Sequence, residues 1–193
     1  LTTDQIVALT TSQINNLTTR ALSGMSTDAI VALSTQQAAA LKSSQLASLG
    51  TSQIAALETA DLAALPNQTL QGLTTAQALA LGTQQFASLG TSQIASLDTR
   101  NIAVLSSQQI HALTTDQANA LKSSQIKALS STQLDALDTE DLAALSTLAL
   151  QGFTTAQIPT LSTDQIVALS TAHIAALGTS RLAVFDTAQI AAL

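Results

Sequence analysis

The chain reads as an all-α repeat solenoid of very short capped helices, one per eight residues. Three observations predict this fold. An octad runs from Leu1 to Leu193 without insertion or deletion, a Ser/Thr-x-x-Gln pattern recurs at a fixed place in it, and large apolar residues occupy fixed places.

The octad has the consensus Leu-[Ser/Thr/Gly]-Thr-x-Gln-Ile-x-Ala and repeats twenty-four times, so residues 1–193 form a single array. Position 1 is Leu except at Met25, Phe153 and Phe185. Position 3 is Thr or Ser except at Asn67. Position 6 is Ile, Leu or Phe except at Ala38, Ala78 and Ala118. Position 8 is Ala, Gly or Ser except at Asn16, Val104, Thr160 and Val184. Positions 4 and 7 vary freely and carry half of the charges, which marks them as the solvent face.

One continuous helix cannot accommodate this pattern. At roughly 100° per residue, each octad advances the apolar stripe by about 80°, so the stripe would wind around the helix. An octad is neither a heptad nor an eleven-residue repeat, which argues against a simple coiled coil. The backbone must therefore turn once per octad.

The turn has a chemical signature. Position 2 is Thr, Ser, Gly or Asp in twenty of twenty-four units, the residues that serve as N-caps. Position 5, Gln in fifteen units, then becomes the third helical residue and completes a capping box. Leu at position 1 and Ile at position 6 are placed as a hydrophobic staple across the cap. The near-constant Thr at position 3 is an alternative cap, and the sequence does not separate the two. Ala and Gln favour helix over strand. Helices this short are unstable alone, so positions 1, 6 and 8 are expected to be buried against neighbouring units. Short repeats with rows of Thr also suit a β-solenoid, which is the rival fold.

A longer period lies above the octad. Position 5 departs from Gln at Ala21, Asp61, Asn101, Asp141 and Arg181, each forty residues apart. Ala38, Ala78 and Ala118 show the same spacing at position 6. Matches are closer at eighty residues: Leu41-Lys42-Ser43-Ser44-Gln45 recurs at 121–125, and Leu70-Gln71-Gly72 recurs at 150–152. Duplication explains this. So does a superhelical turn of five octads, which would place Ala38 near Ala78.

Composition excludes several functions. Six basic residues are scattered, net charge is −6, and Trp and Tyr are absent, which argues against nucleic acid and anionic membrane surfaces. No cysteine is present, so disulfides and thiolate chemistry are excluded. No apolar run is long enough for a membrane span.

The candidate chemical groups are few. Asp135, Asp138, Glu140 and Asp141 form the densest acidic cluster, but they lack any Ca²⁺-loop spacing and read as helix-start acids, with Asp138 a cap. His111 and His173 occupy octad positions 7 and 5, with nothing to make them converge on a metal or an acid–base task. No unit sets Ser beside His and Asp. Asn16-Leu17-Thr18 and Asn67-Gln68-Thr69 match the glycosylation sequon, as expected by chance in a Ser/Thr-rich chain. Pro66 suits a cap position, and Pro159 should end its helical turn early. Lys42 and Lys122 stand at cap positions without a capping side chain, which predicts weaker junctions.

The whole array resembles the octapeptide-repeat tracts (Leu-Thr-Thr-x-Gln-Ile-x-Ala-Leu) of very long bacterial surface or secreted proteins of adhesin-like type. That resemblance implies an extracellular or cell-surface setting and a stalk or scaffold role, and it supplies no functional residues. The expectation is a structural or spacer segment of a longer protein, not an enzyme, with no catalytic, cofactor or metal residues. Its partners would be further copies or neighbouring domains of the same protein. A self-assembling filament or sheath subunit is one alternative. An ice-binding solenoid presenting flat Thr rows is another.

Overall fold

The computed structural model describes residues 2–193. Among them are twenty-three α-helices of four to seven residues and one 3₁₀-helix, and no strands, so the all-α solenoid holds and the β-solenoid does not. The chain divides into two compact units, residues 1–97 and 98–193. Both are built from the same octad.

Each α-helix begins where the capping argument places it. Position 2 is the N-cap and position 3 is the first helical residue, as at Thr2 before Thr3–Val7 and at Ser34 before Thr35–Ala39. The Ser34 hydroxyl accepts the Gln37 N–H at 3.3 Å, and the Gln37 side-chain oxygen accepts the Ser34 N–H at 2.8 Å. This reciprocal box settles position 2, not position 3, as the cap.

The turn between helices needs no left-handed residue. The N–H of Leu at position 1 closes on the carbonyl of position 6, as from Leu9 to Ile6 at 3.1 Å. Positions 1 and 2 are then extended, as at Leu57 (φ −62°, ψ 135°) and Glu58 (φ −69°, ψ 150°). Two extended residues after one helical turn swing the chain into the next helix. The junction at Gly178 is different: φ is 73° there, a conformation that glycine adopts without steric cost.

Helices stack on the third helix along the chain. In the first unit Thr35–Ala39 packs on Thr59–Ala64, and in the second Thr115–Asn119 packs on Thr139–Ala144. Hydrogen bonds between successive coils span 28 and 31 residues, as from Gln37 to Leu9 and Ile6. A coil therefore holds between three and four octads. Of the two readings of the forty-residue period, the five-octad turn is wrong, because the angle turned at each extended junction closes the coil sooner. The forty-residue spacing of Ala38, Ala78 and Ala118 is left to duplication.

The interior also departs from expectation at one place. Leu or Ile at positions 1 and 6 are buried as predicted, for example Leu65 and Leu62. Position 8 is only half-buried in most octads, because it sits at the helix C-cap on the edge of the coil. The third interior place belongs to position 5, where Gln is almost fully buried from Gln37 onward. Each large apolar side chain taken out of water contributes about 1.5–3 kcal/mol, and the coils gain stability from many such repeats.

Pro159 acts as expected. It carries no N–H to continue an α-turn, and its octad is closed instead by the 3₁₀-helix Ile158–Thr160. Lys42 and Lys122 supply no side-chain cap. The N–H groups of Gln45 and Gln125 turn instead to the Lys carbonyls, at 3.0 and 2.9 Å, while the Gln side-chain oxygens still accept the Lys N–H groups. The weakness is therefore confined to one lost bond.

Candidate functional site

The most constrained chemistry in the fold is the column of position-5 side chains at the seam between coils. A primary amide has one acceptor oxygen and two N–H donors. In this fold the two ends face different partners. The oxygen points back to the N-cap of its own helix, and the NH₂ points to the preceding coil.

Gln133 shows the pattern. Its Oε1 accepts the Ser130 N–H at 2.8 Å, and its Nε2 donates to the carbonyls of Ile102 at 2.9 Å and Leu105 at 2.8 Å. Gln53, Gln77, Gln85, Gln93, Gln157, Gln165 and Gln189 bridge carbonyls 31 and 28 residues earlier in the same way. Gln5 and Gln13 lie in the first coil, keep the capping box, and are exposed.

Departures from Gln keep or lose parts of this role according to their donors. The Thr69 hydroxyl donates to the Leu41 carbonyl, 28 residues earlier, at 2.7 Å. The Arg181 guanidinium donates to the carbonyls of Phe153, Gln151 and Leu177. His173 offers Nδ1 to the Ser170 N–H at 3.4 Å, which replaces the Gln oxygen in the box. Asp61 and Asp141 are buried at this position, and a carboxylate has nothing to donate. Burial raises the pKa of both, partly offset by the hydroxyls of Thr35 and Thr115.

The other sequence candidates lie on the outer surface and do not converge. Asp135, Asp138 and Glu140 line an open groove with Asp164, while Asp141 is turned inward. Among the described residues, no group of three or more His, Cys, Asp or Glu side chains is arranged to hold a metal ion. Asp138 stands at the N-cap, but its carboxylate does not cap. It pairs with His111 Nδ1 at 2.9 Å, and both side chains are exposed. Asp98 turns to Arg100 at 2.8–3.2 Å, which lowers the Asp98 pKa. Both sequon asparagines are exposed, and Asn16 donates to the Ser12 carbonyl at 2.9 Å.

The sequence showed the capping half of Gln but not the bridging half, because the partner carbonyls are backbone atoms and carry no residue signature. The available signal was that position 5 holds Gln in fifteen units and Glu in none, although Glu would cap equally well.

One-turn helices, a capping Gln that also bridges, and coils closed within four octads define an α-helical octad solenoid. The chain belongs to the ALTTAQ repeat family, whose model matches residues 54–91, 86–123, 134–171 and 166–193. Comparison with curated proteins finds no match.

Proposed function

We propose that the chain is a non-catalytic structural spacer or scaffold segment of a long bacterial cell-surface or secreted protein. One observation carries this reading. Most of the buried polar side chains are position-5 glutamines that cap their own helix and bridge to the preceding coil, as Gln53, Gln77 and Gln133 do, and free variation is left to the outward positions 4 and 7. Such an array is lengthened or shortened by whole units without redesign of its interior. Among the described residues no helix is long and apolar enough to cross a membrane, so any anchoring falls to other segments. The surface setting rests on the resemblance to octapeptide tracts of surface proteins.

Two experiments test the proposal. Deleting residues 41–120 joins Ala40 to Leu121 and restores the motif that began at Leu41. The shortened chain should stay helical and show a proportionally smaller scattering dimension. Loss of its fold would contradict a modular spacer. Antibodies against this segment should label intact cells that produce the full-length protein. Labelling only after lysis would remove the surface setting, and ordered fibres of the purified chain in electron micrographs would replace the spacer with a self-assembling element.

A further inference from the structure

We propose that Asp61 and Asp141 are proton-operated joints in the seams between coils. As a neutral acid, each donates its O–H to the carbonyl oxygen 28 residues earlier, that of Leu33 or Leu113, a separation set by the Thr69–Leu41 bond. As a carboxylate, each has no proton to donate, and that carbonyl is left without its donor. The inference does not depend on the spacer reading.

Gln53 and Gln77, in the same unit as Asp61, donate to the carbonyls of Met25 and Leu49, 28 residues earlier, at 2.8 and 2.7 Å. Thr69, in the octad after Asp61, makes that bond with a single O–H. One donor at this position is thus enough to bridge. A protonated carboxyl supplies one donor and an ionised carboxyl none.

Asp61 is 1 % exposed, and its Oδ2 is buried without a hydrogen-bond partner. A buried carboxylate oxygen with no hydrogen-bond partner is costly unless it gains a proton.

The surroundings favour the neutral form. The Asp61 helix, Thr59–Ala64, packs on Thr35–Ala39 and Thr83–Ala87, and neither carries a charged residue. The charged neighbour is Glu58, which repels a carboxylate, and only the Thr35 hydroxyl favours the ionised state. The Asp141 helix, Thr139–Ala144, packs on Thr115–Asn119 and Thr163–Val167, which bring the exposed Asp116 and Asp164. Asp138 and Glu140 repel a charge at Asp141, while His111 and the Thr115 hydroxyl favour one. In both cases desolvation is the largest influence and raises the pKa.

A carboxyl whose pKa is raised by folding contributes stability that is fully present below the ordinary Asp value. That contribution is lost as pH rises through the folded value. The two joints should loosen toward neutral and alkaline pH. The position tolerates a neutral amide of the same size, since Asn101 occupies it forty residues from each Asp.

Carboxyl-carbon NMR of the full chain, with Asp61→Asn and Asp141→Asn for assignment, reads the protonation directly. Both resonances should titrate at higher pH than those of the exposed acids. Titration together with the exposed acids would overturn the proposal, whether or not the variants fold. Urea midpoints from about pH 4 to about pH 8 give the linked readout. The midpoint of the parent chain should fall as pH rises, and the double Asn variant should lose most of that slope. An exposed control, Asp4→Asn with Asp164→Asn, should keep it. Equal slopes in parent and double Asn variant would sink the idea. So would calcium chloride raising the parent midpoint at neutral pH but not that of the double variant, because a cation would then be the bridge.

Discussion

A Cβ on Gly72 would stand 2.2 Å from the carbonyl oxygen of Ser43, so the two coils touch backbone to backbone there. Gly152 and Ser123 repeat the contact, with a Cβ at 2.0 Å. The eighty-residue period thus copies both halves of one contact, since Lys42-Ser43-Ser44 and Leu70-Gln71-Gly72 recur together. Because the obstacle is backbone, no side-chain rotation relieves it. Gly72→Ala should destabilise by about 1–3 kcal/mol, as overpacking does. Gly90→Ala is the comparison, because its Cβ would meet only the Gln93 Oε1 at 3.6 Å. Urea unfolding of the two variants measures the difference, and equal midpoints would contradict the close approach.

The caps predict gains as well as losses. Gln45 N–H has no side-chain acceptor at Lys42 and settles for the Lys42 carbonyl at 3.0 Å. Lys42→Ser restores the hydroxyl acceptor and should stabilise by about 0.5–2 kcal/mol. Gly90→Ser should gain only a few tenths of that scale, because Gly is already a tolerable N-cap. Thermal unfolding of the two variants should rank them in that order.

Helix placement was legible because capping is local chemistry. Ser34 and Gln37 lie three residues apart, and that spacing alone sets where the helix starts. Burial at positions 1 and 6 was legible for the same reason. The coil size was not, because it depends on the angle accumulated over extended pairs such as Leu57 and Glu58, which no residue type encodes. That same missing quantity hid the true interior place of position 5. Once coils close at 28–31 residues, Gln37 faces the backbone at Ile6 and Leu9, and Ala40 moves to the edge. Asp141 read as one more helix-start acid until the neighbouring coil was in place, where it is buried.

Pro159 offers a test of how much one irregular octad costs. The missing N–H leaves a 3₁₀ closure, with the Thr160 N–H on the Gln157 carbonyl at 3.0 Å. Gln157 still bridges to Ile126 and Leu129, so the seam is intact. Pro159→Ala should convert this octad to an α-turn and stabilise by about 1 kcal/mol. That is less than the roughly 3 kcal/mol cost of an interior Pro, because the 3₁₀ turn has relieved part of it and Pro restricts the unfolded chain. New protection of the residue-159 amide in hydrogen exchange would mark the conversion. No gain in stability would mean that the 3₁₀ turn is already free of strain.

The bridging role of Gln gives the sharpest contrast, because one residue type stands in two contexts. Gln13 makes only its capping box with Thr10 and is exposed. Gln133 makes its box with Ser130 and also spans to Ile102 and Leu105 while 3 % exposed. Replacing Gln13 by Leu removes about one net bond, worth roughly 1 kcal/mol. Replacing Gln133 by Leu removes the same bond and strips two buried carbonyls of a donor, which should bring the loss to about 3–4 kcal/mol. The Leu105 carbonyl is the more exposed to this loss, because the Ile102 carbonyl keeps the Leu105 N–H at 3.3 Å. Gln133→Glu preserves the capping oxygen but has no N–H to give. It should therefore resemble Gln133→Leu at neutral pH and recover part of the loss in acid, when the carboxyl gains a proton to donate. Urea midpoints of the three variants at two pH values decide the matter. Equal costs at Gln13 and Gln133 would mean that capping, not the bond between coils, is why the octad carries Gln.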